Sequence, residues 1–283
     1  VATENDKEIH IIYDDGRINT IFEAQDKFKA APSILNNNNE LIILVGDTGG
    51  IFYGLNIDGS IKFSIQTEND IKSEPGFITH DNQIKIFFGS EDGYLYGINT
   101  NGEHLNNWPK YIGSDNVNSS PVFADLDNDN FPEVISASDE GKIIIFQING
   151  MEFENFPLQF NVGFESSPNV VDLDDDNDLE IIIGSSQNLS VIDIKNTTTT
   201  EPFYWNKYRG DNHNTGYYFS DSFLSGDLNT DSLLNVLDLV VAINIILDTS
   251  GPNSNEVIIG DLNNDSNFDV LDIVLLVNII LSN

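Results

Sequence analysis

Cysteine is absent from the 283 residues, which excludes a disulfide framework, a thiol nucleophile and a thiolate metal site. Basic residues are scarce: 12 Lys and Arg stand against 46 Asp and Glu, a formal net charge of -34. Such a chain repels phosphate backbones and anionic bilayers, so neither nucleic acid nor a membrane surface is an expected partner. An acid excess of this size belongs either to a solubilising, salt-adapted surface or to carboxylates gathered around divalent cations. The four histidines lie scattered at 10, 80, 104 and 213, and no G-x-S-x-G, H-E-x-x-H, phosphate-loop or dinucleotide fingerprint occurs. No catalytic residue is therefore assigned, although carboxylate-only chemistry stays open. No apolar run reaches the roughly 20 residues of a membrane span. A charged and then apolar leader is also missing before the first strand-like stretch, and residue 1 is Val. The chain thus reads as cut from something longer.

What is present is an internal repeat. The segments "APSIL", "EPGFI", "SSPVFADLD" and "SSPNVVDLD" place prolines at 32, 75, 121 and 168, spaced by 43, 46 and 47 residues. After each proline comes a β-rich run ending in a Gly, a second β-rich run, and a turn pair such as Asp58-Gly59, Asn101-Gly102 or Asn149-Gly150. Those pairs tolerate the positive φ of tight hairpins. Each repeat predicts a four-stranded antiparallel meander, the size and pattern of a β-propeller blade; a parallel β-solenoid is the weaker alternative. Residues 8–30, around Asp15-Gly16, align with the second half of a blade. The expectation is half a blade followed by about four whole ones over residues 1–218, with further blades upstream.

In the third and fourth repeats the loop after the first strand reads "ADLDNDNFPEVI" and "VDLDDDNDLEII". Carboxylates fall at Asp125, Asp127, Asp129 and Glu133, and at Asp172, Asp174, Asp176, Asp178 and Glu180. Oxygens at alternate positions of a tight loop, with a main-chain carbonyl near the seventh (Phe131 in the first loop), can wrap a hard cation, and Ca2+ tolerates the looser geometry better than Mg2+. One ion is expected in each of these loops. The first two repeats shorten the same place to "NNNNE" and "HDNQ", which predicts no ion. A glycosidase pair would use only two of these acids, whereas coordination uses them all.

Through "SSPVFADLDNDNFPEVISASDEGKIIIFQING" and its neighbour the blades resemble the FG-GAP or VCBS repeats of integrin-α-type propellers over residues 8–218, specifically in two blades and weakly in the first two. That resemblance implies a seven-bladed pattern, an extracellular location and loop-bound Ca2+, but no particular ligand. The segment "YWNKYRGDNHNTGYY", residues 204–218, is similar to the closing signature of quinoprotein-like secreted propellers. Its Arg209-Gly210-Asp211 tripeptide is too short to carry an adhesive function by itself. Trp108, Trp205 and the tyrosines are expected to pack between blades, with stacking on a glycan as the other use of such rings.

Beyond residues 219–225, read as a linker, the sequence duplicates. "GDLNTDSLLNVLDLVVAINIIL" and "GDLNNDSNFDVLDIVLLVNIIL" align without a gap 34 residues apart. Oxygen side chains stand at Asp227, Asn229, Asp231, Asn235 and Asp238 and again at Asp261, Asn263, Asp265, Asp269 and Asp272, loop positions 1, 3, 5, 9 and 12. Leu233 and Asn267 offer main-chain carbonyls at position 7. This is the EF-hand calcium pattern with Asp at position 12 and Ser at position 6, followed by a helix but preceded by none. A duplicated half-hand resembles a type I dockerin over residues 223–283, with residues 226–283 as the domain proper. The resemblance implies two Ca2+ ions and a cohesin-like partner. Where dockerins use Ser-Thr for that contact, this chain has Val236-Leu237 and Val270-Leu271, so specificity does not carry over. With Ile243, Asn244, Val277 and Asn278 these form the candidate contact surface. Each helix is apolar almost all round, and a domain of some 60 residues cannot cover two of them fully. An exposed, pseudo-twofold patch is the expected result; packing of the helices on each other and on the propeller is the alternative.

The sequence therefore predicts a mainly β chain with a small α domain: a partial propeller of four-stranded antiparallel blades, then an EF-hand-like loop-helix pair. The expected function is that of a secreted or cell-surface bacterial segment, calcium-binding and non-catalytic, in which the propeller binds a glycan or cell-surface ligand or simply spaces. The terminal domain attaches it to a cohesin-like or neighbouring extracellular domain. The alternative is the accessory tail of a secreted polysaccharide-degrading hydrolase or lyase, or of a peptidase, with its catalytic domain upstream.

Overall fold

The structure, a computed structural model, describes the chain except for residues 5–6, 38–39, 82, 114–115, 130, 165, 175, 177, 196–203, 211–213, 220–225, 230–232, 248–258, 264–266 and 283. It divides into two compact units, Val1–Ser220 and Asp221–Asn283. The predicted linker thus falls almost wholly outside the described residues. Among the described residues no helix is long and apolar enough to cross a membrane.

The first unit is built from consecutive antiparallel sheets. A hairpin of β1 (Glu8–Ile12) and β2 (Ile18–Glu23) comes first. Three sheets with four meandering strands each follow. They are β3–β6 (Ser33–Asn37, Glu40–Gly46, Ile51–Asn56, Ile61–Gln66), β7–β10 (Gly76–His80, Gln83–Gly89, Tyr94–Asn99, Lys110–Tyr111) and β11–β14 (Val122–Ala124, Glu133–Ala137, Lys142–Gln147, Leu158–Gln159). The last sheet has three strands among the described residues: β15 (Asn169–Val171), β16 (Leu179–Gly184) and β17 (Leu189–Ile194). Neighbouring sheets meet through their first strands, β7 beside β11 and β11 beside β15, which makes the arrangement propeller-like.

Second strands are largely buried on both faces, as in "ELIILVG" of β4, and their apolar runs are accordingly continuous rather than alternating. Phe52, Phe77, Phe87, Phe88 and Phe123 are all fully buried between sheets. Each such ring contributes roughly 1.5–3 kcal/mol by leaving water. Trp108 packs edge-on to Phe87 at 4.8 Å and donates its indole N–H to the Ile148 carbonyl of the following sheet at 3.1 Å. The predicted turns carry their glycines at positive φ, +82° at Gly16, +85° at Gly59, +82° at Gly102 and +84° at Gly150. At Gly59 a β-carbon would also sit 1.8 Å from the Ile21 carbonyl oxygen of β2, so the turn admits no side chain on either ground.

Residues 204–210 and 214–219 run across the first strands of all four sheets. The Asn206 carbonyl accepts from Val170 of β15, and the Trp205 carbonyl accepts from Phe123 of β11. Tyr218 shares a hydrogen bond with Thr79 of β7 at 2.8 Å. The segment ends as β18 (Tyr217–Phe219), paired parallel to β3. Trp205 is 4% exposed and packs on Phe77 and Tyr218. Arg209 donates to the carbonyls of Pro32, Asn214 and Thr215, so the arginine of the Arg-Gly-Asp tripeptide holds the segment in place; Asp211 lies outside the described residues.

In the second unit two helices, α1 (Val236–Leu247) and α2 (Val270–Ser282), pack around Ala242, Phe268 and Leu276. Both begin where the predicted loops end.

Candidate metal-binding loops

In the third sheet the connection from β11 to β12 is short and folds back on itself. Asp125 is 6% exposed and accepts from the Asp129 N–H at 3.1 Å; Asp129 in turn accepts from the Phe131 N–H at 2.7 Å. Asn128 takes a φ of +57°, the left-handed conformation that short Asn side chains tolerate. Glu133 opens β12 and turns inward: it is fully buried, and its Oε2 accepts the Leu126 N–H at 2.8 Å. One oxygen each of Asp125, Asp127 and Glu133 lie within 4.8 Å of one another. Glu133 Oε1 and Asp127 Oδ1 are buried with no hydrogen-bond partner among the described residues. No ion pair among the described residues reaches Asp127, Asp129 or Glu133.

An isolated carboxylate in that position is expensive. Burial pushes the Glu133 carboxyl up to about 8; the Leu126 N–H opposes this, and the charges of Asp127, Asp125 and Asp129 add to it. Burial also raises Asp127, with Asp129 and Asp125 contributing. The field reaches the 204–219 segment, where Tyr204 is pushed up to about 12 by burial and then by Asp125, Glu133 and Asp129. His80, at the end of β7, has its ring 5.0 Å from that of Phe131 and tilted 57° to it, and is lowered chiefly by burial. Phe131 itself is half exposed. Buried acceptors without donors, ringed by further acceptors, fit a hard cation, which needs several oxygens and no proton.

The fourth sheet repeats the device. Leu173 donates to Glu180 Oε2 at 2.6 Å, and one oxygen each of Asp172, Asp174 and Glu180 lie within 4.8 Å of one another. Asp176 and Asp178 do not join this group. Both pair with Lys195, at 3.1 and 3.2 Å, and Asp193 joins them at 2.7 Å. Lys195 was missed by spacing alone, yet it is the one Lys or Arg between Lys142 and Lys207.

In the second unit Asp238 and Asp272 are buried beneath their loops. Asp238 accepts from Asn229 N–H at 3.2 Å and from Asn235 N–H at 2.9 Å. Asp272 accepts from Leu262, Asn263 and Asp269 at 2.9, 3.2 and 2.9 Å. These carboxylates clasp loop to helix. Asn235 and Asp269 each cap the helix that follows, through Leu237 N–H and Leu271 N–H at 2.8 and 2.7 Å. Asn235 also donates to the Leu233 carbonyl at 3.2 Å, the oxygen expected at position 7. Asp227 is buried, Asn229 and Asp261 are half-buried, and Asn263 and Asn267 are exposed. Asp231 and Asp265 lie outside the described residues.

Of the candidate contact residues, Val236 and Val270 are 60% and 61% exposed and Leu237 and Leu271 both 56%. Ile243, Asn244 and Asn278 are exposed too, whereas Val277 is half-buried. Val240 and Val274 join the same faces.

No protein-family model matches the sequence, and no curated protein matches it. Solved structures similar to the chain include BamB from Moraxella catarrhalis, 16% identical over 68% of this chain and 54% of that one, with a TM-score of 0.47. The WD40 β-propeller domain of Doa1 is 13% identical over 68% of this chain and 60% of its own, with a TM-score of 0.48. BBS1N, solved in complex with ARL6DN, is 16% identical over 71% and 64%, with a TM-score of 0.47. The chain thus spans less than two thirds of each of these structures.

Proposed function

We propose that this chain is a calcium-binding, non-catalytic segment of an exported bacterial protein. Its propeller-like unit binds or spaces, and its terminal unit attaches the whole to a cohesin-like or neighbouring extracellular domain. The observation that carries the calcium reading is Glu133, fully buried with one oxygen unpartnered and set against Asp125 and Asp127. A hard divalent cation offsets three converging carboxylates while leaving them ionised, and no Lys or Arg does so here among the described residues. In the terminal unit the reading rests on the five-oxygen pattern, present twice, and on Asp238 and Asp272 buried at its twelfth position.

Attachment is the reading for the helices because the two copies expose equivalent residues 34 positions apart: Val236 and Val270, Leu237 and Leu271, Val240 and Val274, Leu247 and Leu281. A surface with that internal symmetry allows one partner to dock in two orientations. The same features suit the accessory tail of a secreted polysaccharide-degrading enzyme or peptidase, and recovery of the upstream reading frame separates the two. Pull-down with a panel of cohesin domains, in calcium and in EGTA, tests attachment. Capture in calcium alone is expected, and capture by none of them contradicts the cohesin-like reading.

A further inference from the structure

We propose that the two acidic loops of the propeller-like unit are unequal: the β11–β12 loop is its tight calcium site, and Lys195 is a built-in competing cation that keeps the β15–β16 loop weak. This rests on the calcium reading above. The loops correspond in register, since the N–H of Leu126 meets Glu133 as that of Leu173 meets Glu180. They differ in what lies across the sheet. Glu133 stands opposite Gln147, a neutral residue, whereas Glu180 stands opposite Asp193.

Lys195, two residues after Asp193, gathers three carboxylates through one ammonium, at 2.7, 3.1 and 3.2 Å. One of them is Asp176, the fifth-position acid that must swing in to complete a coordination shell; its counterpart Asp129 has no such tie. A dication entering the fourth-sheet loop therefore has to detach Asp176 and to approach a fixed positive charge. In the third-sheet loop the first- and ninth-position acids are both buried, with Glu133 Oε1 unpartnered, so the loop without a cation is costly, and among the described residues no ion pair at Asp127, Asp129 or Glu133 has to be broken. Lys195 is 65% exposed at its side chain, and solvent moderates the repulsion. An ammonium several ångströms from Ca2+ in a largely aqueous setting still weakens binding by about tenfold.

The test is calcium titration of the full, metal-stripped chain by isothermal calorimetry, for wild type, Glu133→Gln, Lys195→Met and Lys195→Arg, each checked for folding by circular dichroism. Glu133→Gln should remove one tight site. Lys195→Met should tighten one weak site by about tenfold, and Lys195→Arg, which retains the charge, should keep that site weak. If Glu133→Gln removes a site but Lys195→Met titrates like wild type or binds less tightly, the competing-cation inference is overturned and the calcium reading stands. If Glu133→Gln also titrates like wild type, calcium binding by the β11–β12 loop is itself refuted, and the inference with it.

Discussion

Glu133 concentrates the electrostatic problem of the molecule in one side chain. Its carboxyl is raised from 4.5 to about 8 in the folded, metal-free protein. A folded state that holds the proton more tightly than the unfolded chain is favoured by this group in full below about pH 4.5. That advantage is lost as pH rises through about 8. Urea denaturation in EGTA should accordingly show stability falling between those limits by a few kcal/mol (order of magnitude). Glu133→Gln should flatten the slope, and saturating calcium should suppress it. A slope in EGTA that Glu133→Gln leaves unchanged would place the titrating group elsewhere. The acids of both loops were legible from spacing, since alternate carboxylates recur at the same place in two repeats. Lys195 was not, because its role depends on the register that sets Asp193 opposite Glu180, and register is a property of the folded sheet.

The elements divide similarly into the local and the long-range. The Asx-Gly turns dictated their hairpins, and the apolar runs gave the central strands. Some fourth strands are only two residues long, as in β10 and β14, too short for any alternation to register. Nor does anything in "TGYYF" announce a parallel strand beside residues more than 180 positions earlier; that pairing follows from the route of the 204–219 segment. Trp205 anchors the route, and Trp205→Ala should cost about 3–5 kcal/mol in urea denaturation through lost burial and a residual cavity. A cost below about 1 kcal/mol would show that the segment does not staple the sheets. In the second unit the helix starts follow from the loop pattern. Asp272→Ala leaves three N–H groups of its loop without their acceptor. It should destabilise the unit by about 2–4 kcal/mol and abolish calcium binding by that loop. Retained binding, measured by calorimetry, would contradict the position-12 assignment.

At the scale of the whole molecule, one chain carries two repeated acidic devices of different construction, sheet loops in the first unit and loop-helix pairs in the second. The mainly β class with four-stranded antiparallel sheets was legible because the blade pattern is repeated, and repetition separates signal from composition. The partner was not, since the exposed apolar faces at Leu237 and Leu271 carry no mark of what would cover them. Leu237→Asp combined with Leu271→Asp should shift stability by no more than about 1 kcal/mol, both residues being exposed, yet eliminate capture by any cohesin domain that binds wild type. Unchanged capture would move the contact off these helix faces.

Whether cations complete both units is read by differential scanning calorimetry of the full chain in calcium and in EGTA. Ligand binding to the folded state raises its melting temperature by mass action, and chelation restores the repulsion among clustered carboxylates. Higher transitions in calcium are expected for both units, with the shift in the first reduced by Glu133→Gln. Superimposable traces in calcium and EGTA would contradict completion by cations.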